Sequence, residues 1–450
     1  MATVSELQVR TGRRAELVLL GLSWAIVVLA RALVDYHADY LELGPLGIYA
    51  GGAALLMLGS HLILRRYAPS ADPVLLPAVI AINGVGLAMI RRVDFAYAQY
   101  RGRETDFGDA QIGWTAAGIL LAMVVVFVIR DHRLLRRFTY TAGVVGLALY
   151  LLPLVPGLGV TINGARIWID VFGRSLQPGE FAKIAMVVFF AGYLVTNRDT
   201  LALAGPRFLG LRFPRPRDMG PLLLVWVAAL MLMVYQRDLG ASLLFFGIFL
   251  GLLYVATQRI SWVVTGVAMF GVGAVLAGAV FPHVRARYDA WLNALDPQLY
   301  SSGTSEQLVR GLFGMASGGL FGTGLGEGRP DLVPYAESDF IIASLGEEMG
   351  LTGLMAILAL YLILVQRAFR TSIGVRDGFG KLVAGGLGFA LALQVFIVVG
   401  GVTRVIPLTG LTTPWLAYGG SSMLANWIIV GLLLRISDQA RRSAAEVSLK

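Results

Sequence analysis

Stretches of about twenty apolar residues recur along the whole chain, and no other feature constrains it as much. A bilayer core ~30 Å thick takes ~20 residues of helix to cross. Twelve segments qualify, near 16–34, 44–64, 74–91, 111–129, 138–156, 179–196, 219–235, 239–256, 261–281, 339–365, 380–402 and 412–434. A soluble chain of 450 residues would need charged surface over several domains. Only 14% of these residues are charged, against ~25% in soluble domains. The pattern predicts an all-α, polytopic integral membrane protein with about twelve transmembrane helices, and excludes a cytosolic enzyme and a disordered chain. The first stretch contains Ala30-Arg31-Ala32, a faint peptidase-like site, but the spans that follow make it read as a retained anchor.

An even number of spans puts both termini on one side. With the N-terminus in the cytoplasm, the cytoplasmic segments carry 23 Arg and Lys residues and the outer segments 12, the bias that the positive-inside rule requires. Most of the net charge of +9 is therefore topology and attraction to membrane lipids, and nucleic acid is not implied as a partner. The expected organisation is a cytoplasmic N-terminus with two helices over 1–73, a core over 74–436 and a cytoplasmic tail over 437–450. Within the core, the outer loop between the ninth and tenth spans, 282–338, is longer than ordinary connections. The absence of cysteine excludes disulfides and thiolate chemistry, and the four scattered histidines show no zinc spacing. Gly322-Thr323-Gly324-Leu325-Gly326 has no strand before it, so it reads as a close-packed loop rather than a dinucleotide site.

Ionisable side chains at membrane depth are costly and so are functional candidates. Under this topology several share the outer rim. Glu180 and Lys183 lie one turn apart at the start of the sixth span, Asp238 opens the eighth and Asp339 the tenth, and Arg166 and Trp168 sit in the loop ahead of Glu180. Converging carboxylates and cations suit a substrate that carries phosphates or sugar hydroxyls. Each group also has a structural reading. Asp238 and Asp339 precede apolar helices, where Asp is a favoured N-cap. Glu180 and Lys183 at i,i+3 neutralise each other. Glu347 and Glu348 pair inside the bundle, Arg31 snorkels, and His61 is a satisfied interior histidine.

Five motifs, in order, resemble the SEDS family (shape, elongation, division and sporulation), which contains RodA and FtsW. They are Asn163-Gly164-Ala165 with Trp168, then Gln177-Pro178-Gly179-Glu180 with Lys183; Gln236-Arg237-Asp238-Leu239-Gly240; Ser317-Gly318-Gly319 through Gly324; Ser338-Asp339-Phe340-Ile341 with Glu347-Glu348; and Thr409 through Tyr418-Gly419-Gly420-Ser421-Ser422. The extra N-terminal pair of spans and the Arg-rich composition look like the RodA branch of actinobacteria. The chain departs from the family pattern in spacing Arg166-Ile167-Trp168, in Gly179 for a serine, in Glu337 for a histidine and in Ala417 for a serine.

The resemblance implies a peptidoglycan glycosyltransferase in the bacterial plasma membrane. It would polymerise lipid II into glycan strands on the outer face, serving elongation and shape rather than division, beside a class B penicillin-binding protein that crosslinks them. The family's acidic catalytic residue maps to Asp339, a general base for an inverting displacement. Glu180, Lys183, Asp238, Arg166, Trp168, Gln236, Ser421 and Ser422 would line the cavity, with Arg166 and Lys183 on the leaving pyrophosphate. No organic cofactor is expected; Asp238, Glu180 and Asp339 are the carboxylates available to a divalent cation, Mg2+ or Mn2+. The competing readings are a flippase for lipid II or another polyisoprenoid lipid, and a non-catalytic scaffold for the penicillin-binding protein.

Overall fold

A computed structural model describes residues 2–162, 164–171, 173–201, 207–208, 211–212 and 219–448. Asn163 of the first motif and most of the segment 202–218 lie outside them. The chain is mostly helical. In order the elements are α1 (Ala2–His37), α2 (Leu43–Tyr67), α3 (Leu75–Arg101), α4 (Phe107–Val128), α5 (Leu134–Arg137) and α6 (Thr139–Leu151). A three-stranded antiparallel sheet follows, β1 (Gly159–Ile162), β2 (Ala165–Val171) and β3 (Arg174–Leu176). Then come α7 (Pro178–Leu201), a two-strand hairpin of β4 (Arg207–Phe208) and β5 (Leu211–Arg212), α8 (Gly220–Tyr235), α9 (Leu239–Thr257), α10 (Ile260–Val280), α11 (Pro282–Leu292), α12 (Pro297–Ser301) and α13 (Glu306–Gly318). The chain ends in α14 (Ile341–Gly374), α15 (Gly378–Val402) and α16 (Gly420–Ser448).

Ten helices among the described residues are long and apolar enough to cross a membrane, and they coincide with ten of the twelve apolar stretches. The other two stretches form shorter apolar helices, Thr139–Leu154 and α8 (Gly220–Tyr235). The first of these tightens into a 3-10 turn at Leu152–Leu154, around Pro153, whose ring removes a backbone donor. This is a multi-pass membrane protein. The outer loop expected over 282–338 is not an open excursion: α11, α12 and α13 fold within it, and α13 packs on α14. At the centre α3 is buried along almost its whole length, with α1 packed on one side and α14 on another. Around it, α16 lies on α4, α6 on α7, and α7, α9 and α15 on one another.

One break in this bundle positions the site. Inside α14, Gly350 adopts φ 65°, ψ −172°, a region open essentially to glycine alone. The break frees backbone groups at membrane depth, which is tolerated only where protein satisfies them. The glycine-rich loop after α13 does so. Thr323 N donates to Glu347 O (2.9 Å), Gly324 N to Glu348 O (3.0 Å), Leu351 N to Gly319 O and Thr352 N to Leu320 O (both 3.0 Å). The close-packed reading of this loop holds. A Cβ on Gly350 would lie 2.3 Å from Gly322 N and 2.6 Å from Leu320 O. Gly350→Ala should therefore lower stability by about 2–4 kcal/mol, from strain and overpacking together, measured as loss of folded protein on heating in detergent.

Candidate active site

The helices that begin at one rim of the bundle carry the expected residues, and the structure sorts them into three groups. The first is a buried hub. Lys183 Nζ donates to Glu180 Oε2 (2.7 Å), Gln394 Oε1 (2.8 Å) and Asn426 Oδ1 (3.1 Å). Glu180 and Lys183 are 5% and 3% exposed. An ammonium has three N–H groups, so Lys183 has none left for a phosphate; the neutralising reading describes this pair. Asn426 Nδ2 and Thr412 Oγ1 both donate to Ser422 Oγ (3.1 and 2.9 Å), Gln394 Nε2 donates to Thr412 O (2.9 Å), and Gln177 N donates to Ser421 Oγ (2.9 Å). The hub thus ties α7, α15 and α16 to the loop 409–419.

The second group belongs to the sheet and the end of α8. Trp168 stands on β2 opposite Val160. Arg166 N donates to Gln236 O (3.2 Å), while its guanidinium turns back toward Val155 O (3.4 Å). The buried Gln236 side chain donates to Tyr150 O. These residues hold the sheet on the bundle, and Arg166 does not join the carboxylates.

The third group is the pair of aspartates, which capping treats differently. Asp238 is a cap: its Oδ1 accepts from Ala241 N at 2.8 Å at the start of α9. Asp339 is not. The N-cap of α14 is Phe340, without a side-chain cap bond, and among the described residues Asp339 makes no hydrogen bond. The capping expectation for Asp339 is corrected because the chain turns through Pro334–Asp339 and enters the helix one residue later than its apolar run suggests. Gly410, at φ 79°, brings the 409–419 loop against this carboxyl; a Cβ there would lie 3.6 Å from Asp339 Oδ2. Half-buried at the rim, the Asp339 carboxyl is pushed up to about 7 by burial, with Arg287 opposing and Glu337 and Asp238 adding to the rise. Burial pushes Asp238 up to about 6, against the Ala241 N–H and Arg287.

Arg287 is therefore the cation that faces both aspartates, and sequence reasoning did not single it out. It lies on α11, donates to Leu408 O (2.8 Å) and lines a cavity of about 140 Å³ with Arg237, His283, Leu239, Gly164 and Ala165. The signal available was Arg285-Ala286-Arg287 beside His283 in a loop already marked as unusual. Glu337, at the position where the family pattern has histidine, accepts from Tyr97 OH (3.0 Å) and takes Tyr418 N on its carbonyl (2.7 Å). Glu348 pairs with Arg92 (3.1 Å) and accepts from Gly326 N (2.8 Å), as the structural reading expected, and Glu347 accepts from Arg329 N (3.0 Å). Arg31 pairs with Asp35 in the interior, and His61 meets Glu16 at 2.8 Å.

Among the described residues no three His, Asp or Glu side chains come together to hold a metal ion. Glu180 is taken by Lys183 and Asp238 by its helix. Among the described residues Asp238, Glu180 and Asp339 thus do not form a metal cage with one another.

Comparison with known proteins agrees with this architecture. The sequence model of the FtsW, RodA and SpoVE family, described as "Cell cycle protein", matches residues 73–442. The protein named peptidoglycan glycosyltransferase RodA in Mycobacterium tuberculosis is 48% identical over 435 residues, 96% of this chain and 92% of that one. The crystal structure of the rod shape determining protein RodA of Thermus thermophilus is 25% identical, with a TM-score of 0.55 over 82% of this chain and 97% of that one. A chain in a structure titled "Structural coordination of polymerization and crosslinking by a peptidoglycan synthase complex" shares the fold, with a TM-score of 0.63 over 82% of this chain and 98% of that one, at 24% identity.

Proposed function

The chain belongs to the FtsW, RodA and SpoVE family of cell cycle proteins, and on that premise we propose that it polymerises lipid II with Asp339 as general base. Its relatives at 46–48% identity over nearly the whole chain are peptidoglycan glycosyltransferases of the RodA branch, and so is this chain. The observation that carries the role of Asp339 is its setting: uncapped, without a hydrogen bond among the described residues and half open at the rim, where burial pushes its carboxyl up to about 7. A base is most effective when its pKa lies near the working pH.

In the reaction the 4-hydroxyl of an acceptor sugar attacks C1 of the donor sugar. Its proton passes to the Asp339 carboxylate as the new C–O bond forms. The bond from C1 to the phosphate oxygen breaks on the opposite face, which inverts the anomeric centre, and the polyprenyl pyrophosphate leaves with the electron pair. Arg287, Arg237 and His283 line the cavity next to Asp238, where positive charge offsets the charge that develops on the leaving group. Lys183 and Glu180 act at one remove, by holding the 409–419 loop against Asp339. The sugar chemistry sits on the outer face, both termini are cytoplasmic, and a class B penicillin-binding protein crosslinks the product. The two helices over 1–73 are an addition to a catalytic core over 74–436. The polyprenyl tails lie along lipid-facing helices.

Arg287→Ala should reduce turnover by ~10²-fold while the protein stays folded, since the side chain makes one bond to a carbonyl. The same change should move the acid limb of the rate profile to higher pH, because Arg287 opposes the rise of the Asp339 pKa. Arg287→Lys should recover part of both. Turnover and profile are read from lipid II consumption.

The flippase reading wants a site near the midplane, whereas the carboxylates here gather at one rim. The deciding experiment uses the protein with its crosslinking partner, a β-lactam to stop transpeptidation and moenomycin to silence other polymerases. Glycan ladders on a gel are expected. Lipid II movement across liposomes without ladders, with the partner bound, would overturn the polymerase in favour of the transporter.

A further inference from the structure

A cavity of about 440 Å³ lies away from the active site, against the two N-terminal helices that precede the family match at residue 73. Helix α2 packs on α1 and α4, and the four helices α1 to α4 line this half-open slot. The walls are apolar: Ile48 and Leu56 from α2, Ile80 and Leu87 from α3, Ile119 from α4. Water finds almost no polar partners along such walls, and a void this large would forfeit dispersion contacts along its lining. The solvent around these helices is lipid hydrocarbon. On α2 the lining runs from Pro45 to Met57, about 18 Å at the helical rise, close to the depth of one leaflet of a core ~30 Å thick.

The charged lining, Arg31 and Asp109, gathers at the end where α1 stops and α2 and α4 start, the same end as Asp339. Arg31 Nε donates to Asp35 Oδ2 (2.7 Å), and Arg91 Nε donates to the other oxygen of Asp35 (2.5 Å). Two guanidiniums share one carboxylate, so this side of the mouth carries a surplus positive charge. The Arg31 guanidinium is held 5.2 Å over the Tyr49 ring, another lining residue. Across the mouth, Asp109 is exposed in the first turn of α4 and has no ion-pair partner among the described residues. A slot one leaflet deep with a cation and a carboxylate at its mouth matches a lipid whose head carries both a phosphate and an amine.

We propose that this cavity holds one chain of a bilayer aminophospholipid, with its phosphate at Arg31 and its amine at Asp109. None of the site residues lies on α1, α2 or α4, so the occupant is a resident lipid, separate from the substrate. It braces α4, whose Gln111 donates to Ala417 O (3.0 Å) and accepts from Gly419 N (3.2 Å) in the loop beside Asp339.

The test uses the full chain, wild type, Gly52→Phe and Asp109→Asn, reconstituted in bilayers of phosphatidylethanolamine and phosphatidylglycerol and re-extracted in mild detergent. Native mass spectrometry weighs the retained lipid. Gly52 lines the slot and no atom lies within 4 Å of a Cβ built on it, so phenylalanine there fills the space. Wild type should keep one phosphatidylethanolamine, Gly52→Phe at least ten-fold less at a similar melting temperature, and Asp109→Asn a lipid with about ten-fold weaker preference for phosphatidylethanolamine. The proposal is overturned if wild type keeps no lipid, keeps either lipid alike or carries a polyprenyl lipid instead, or if Gly52→Phe keeps as much as wild type. Should Gly52→Phe not fold, the exposed Asp109→Asn decides alone: an unchanged preference sinks the proposal.

Discussion

Asp339→Asn should lower glycan polymerisation by ~10²–10⁴-fold, the range that a positioned base contributes. The substitution is nearly isosteric. Among the described residues the carboxyl makes no hydrogen bond and caps no helix, so melting temperature and partner binding should stay as in wild type. That separation gives the experiment its force, because a scaffold would tolerate the change completely. Asp238→Asn is the internal control. The amide oxygen still caps α9 at Ala241, and asparagine is as good an N-cap as aspartate, so its loss should be much smaller. Single-turnover consumption of lipid II by the partner-bound protein measures both. If Asp238→Asn were the more damaging, the two aspartates would exchange roles.

Lys183→Met should act on the fold rather than on the chemistry. It removes the partner of Glu180, which is 5% exposed, and a donor from Gln394 and Asn426. Breaking a buried pair on one side costs ~3–5 kcal/mol, enough to reduce folded yield sharply. Restoring neutrality with Glu180→Gln in the same chain should recover most of the melting temperature. It should recover less of the activity, because the hub also ties Thr412 and Ser422 into the loop at Asp339. A Lys183→Met protein that is fully stable yet inactive would show that the ammonium reaches substrate, against the geometry of its three bonds.

Period and length alone made the helices legible: each of the ten long spans grew from a stretch of apolar residues. The stretch at 138–156 fell short because Pro153 tightens its last turn, a local effect that averaged hydropathy does not register. The folding of 282–338 into three helices was hidden for a different reason, since α11 and α12 are short and polar, and they pack on α10 and α13 respectively. Of the site, the types and rim positions of Asp238, Asp339, Glu180 and Lys183 could be read from their cost in a membrane. Their division of labour could not. Whether an aspartate caps its helix depends on a single residue of phase, which separates Asp238 from Asp339. Where Arg166 and Arg287 point depends on a β-sheet turn and on the short polar helix α11, neither of which leaves a periodic apolar trace in the chain.

In the proposed mechanism Asp339 works as a carboxylate whose pKa burial raises to about 7, beside the cation of Arg287. The pH profile of single-turnover polymerisation is the decisive measurement. Asp339 must be deprotonated to accept a proton, and burial pushes it up to about 7, so the rate should climb with pH through about 7 and level off above it. The residual rate of Asp339→Asn should show no such limb. A wild-type rate already flat from pH 5 upward, or the same limb surviving in Asp339→Asn, would place the titrating base elsewhere.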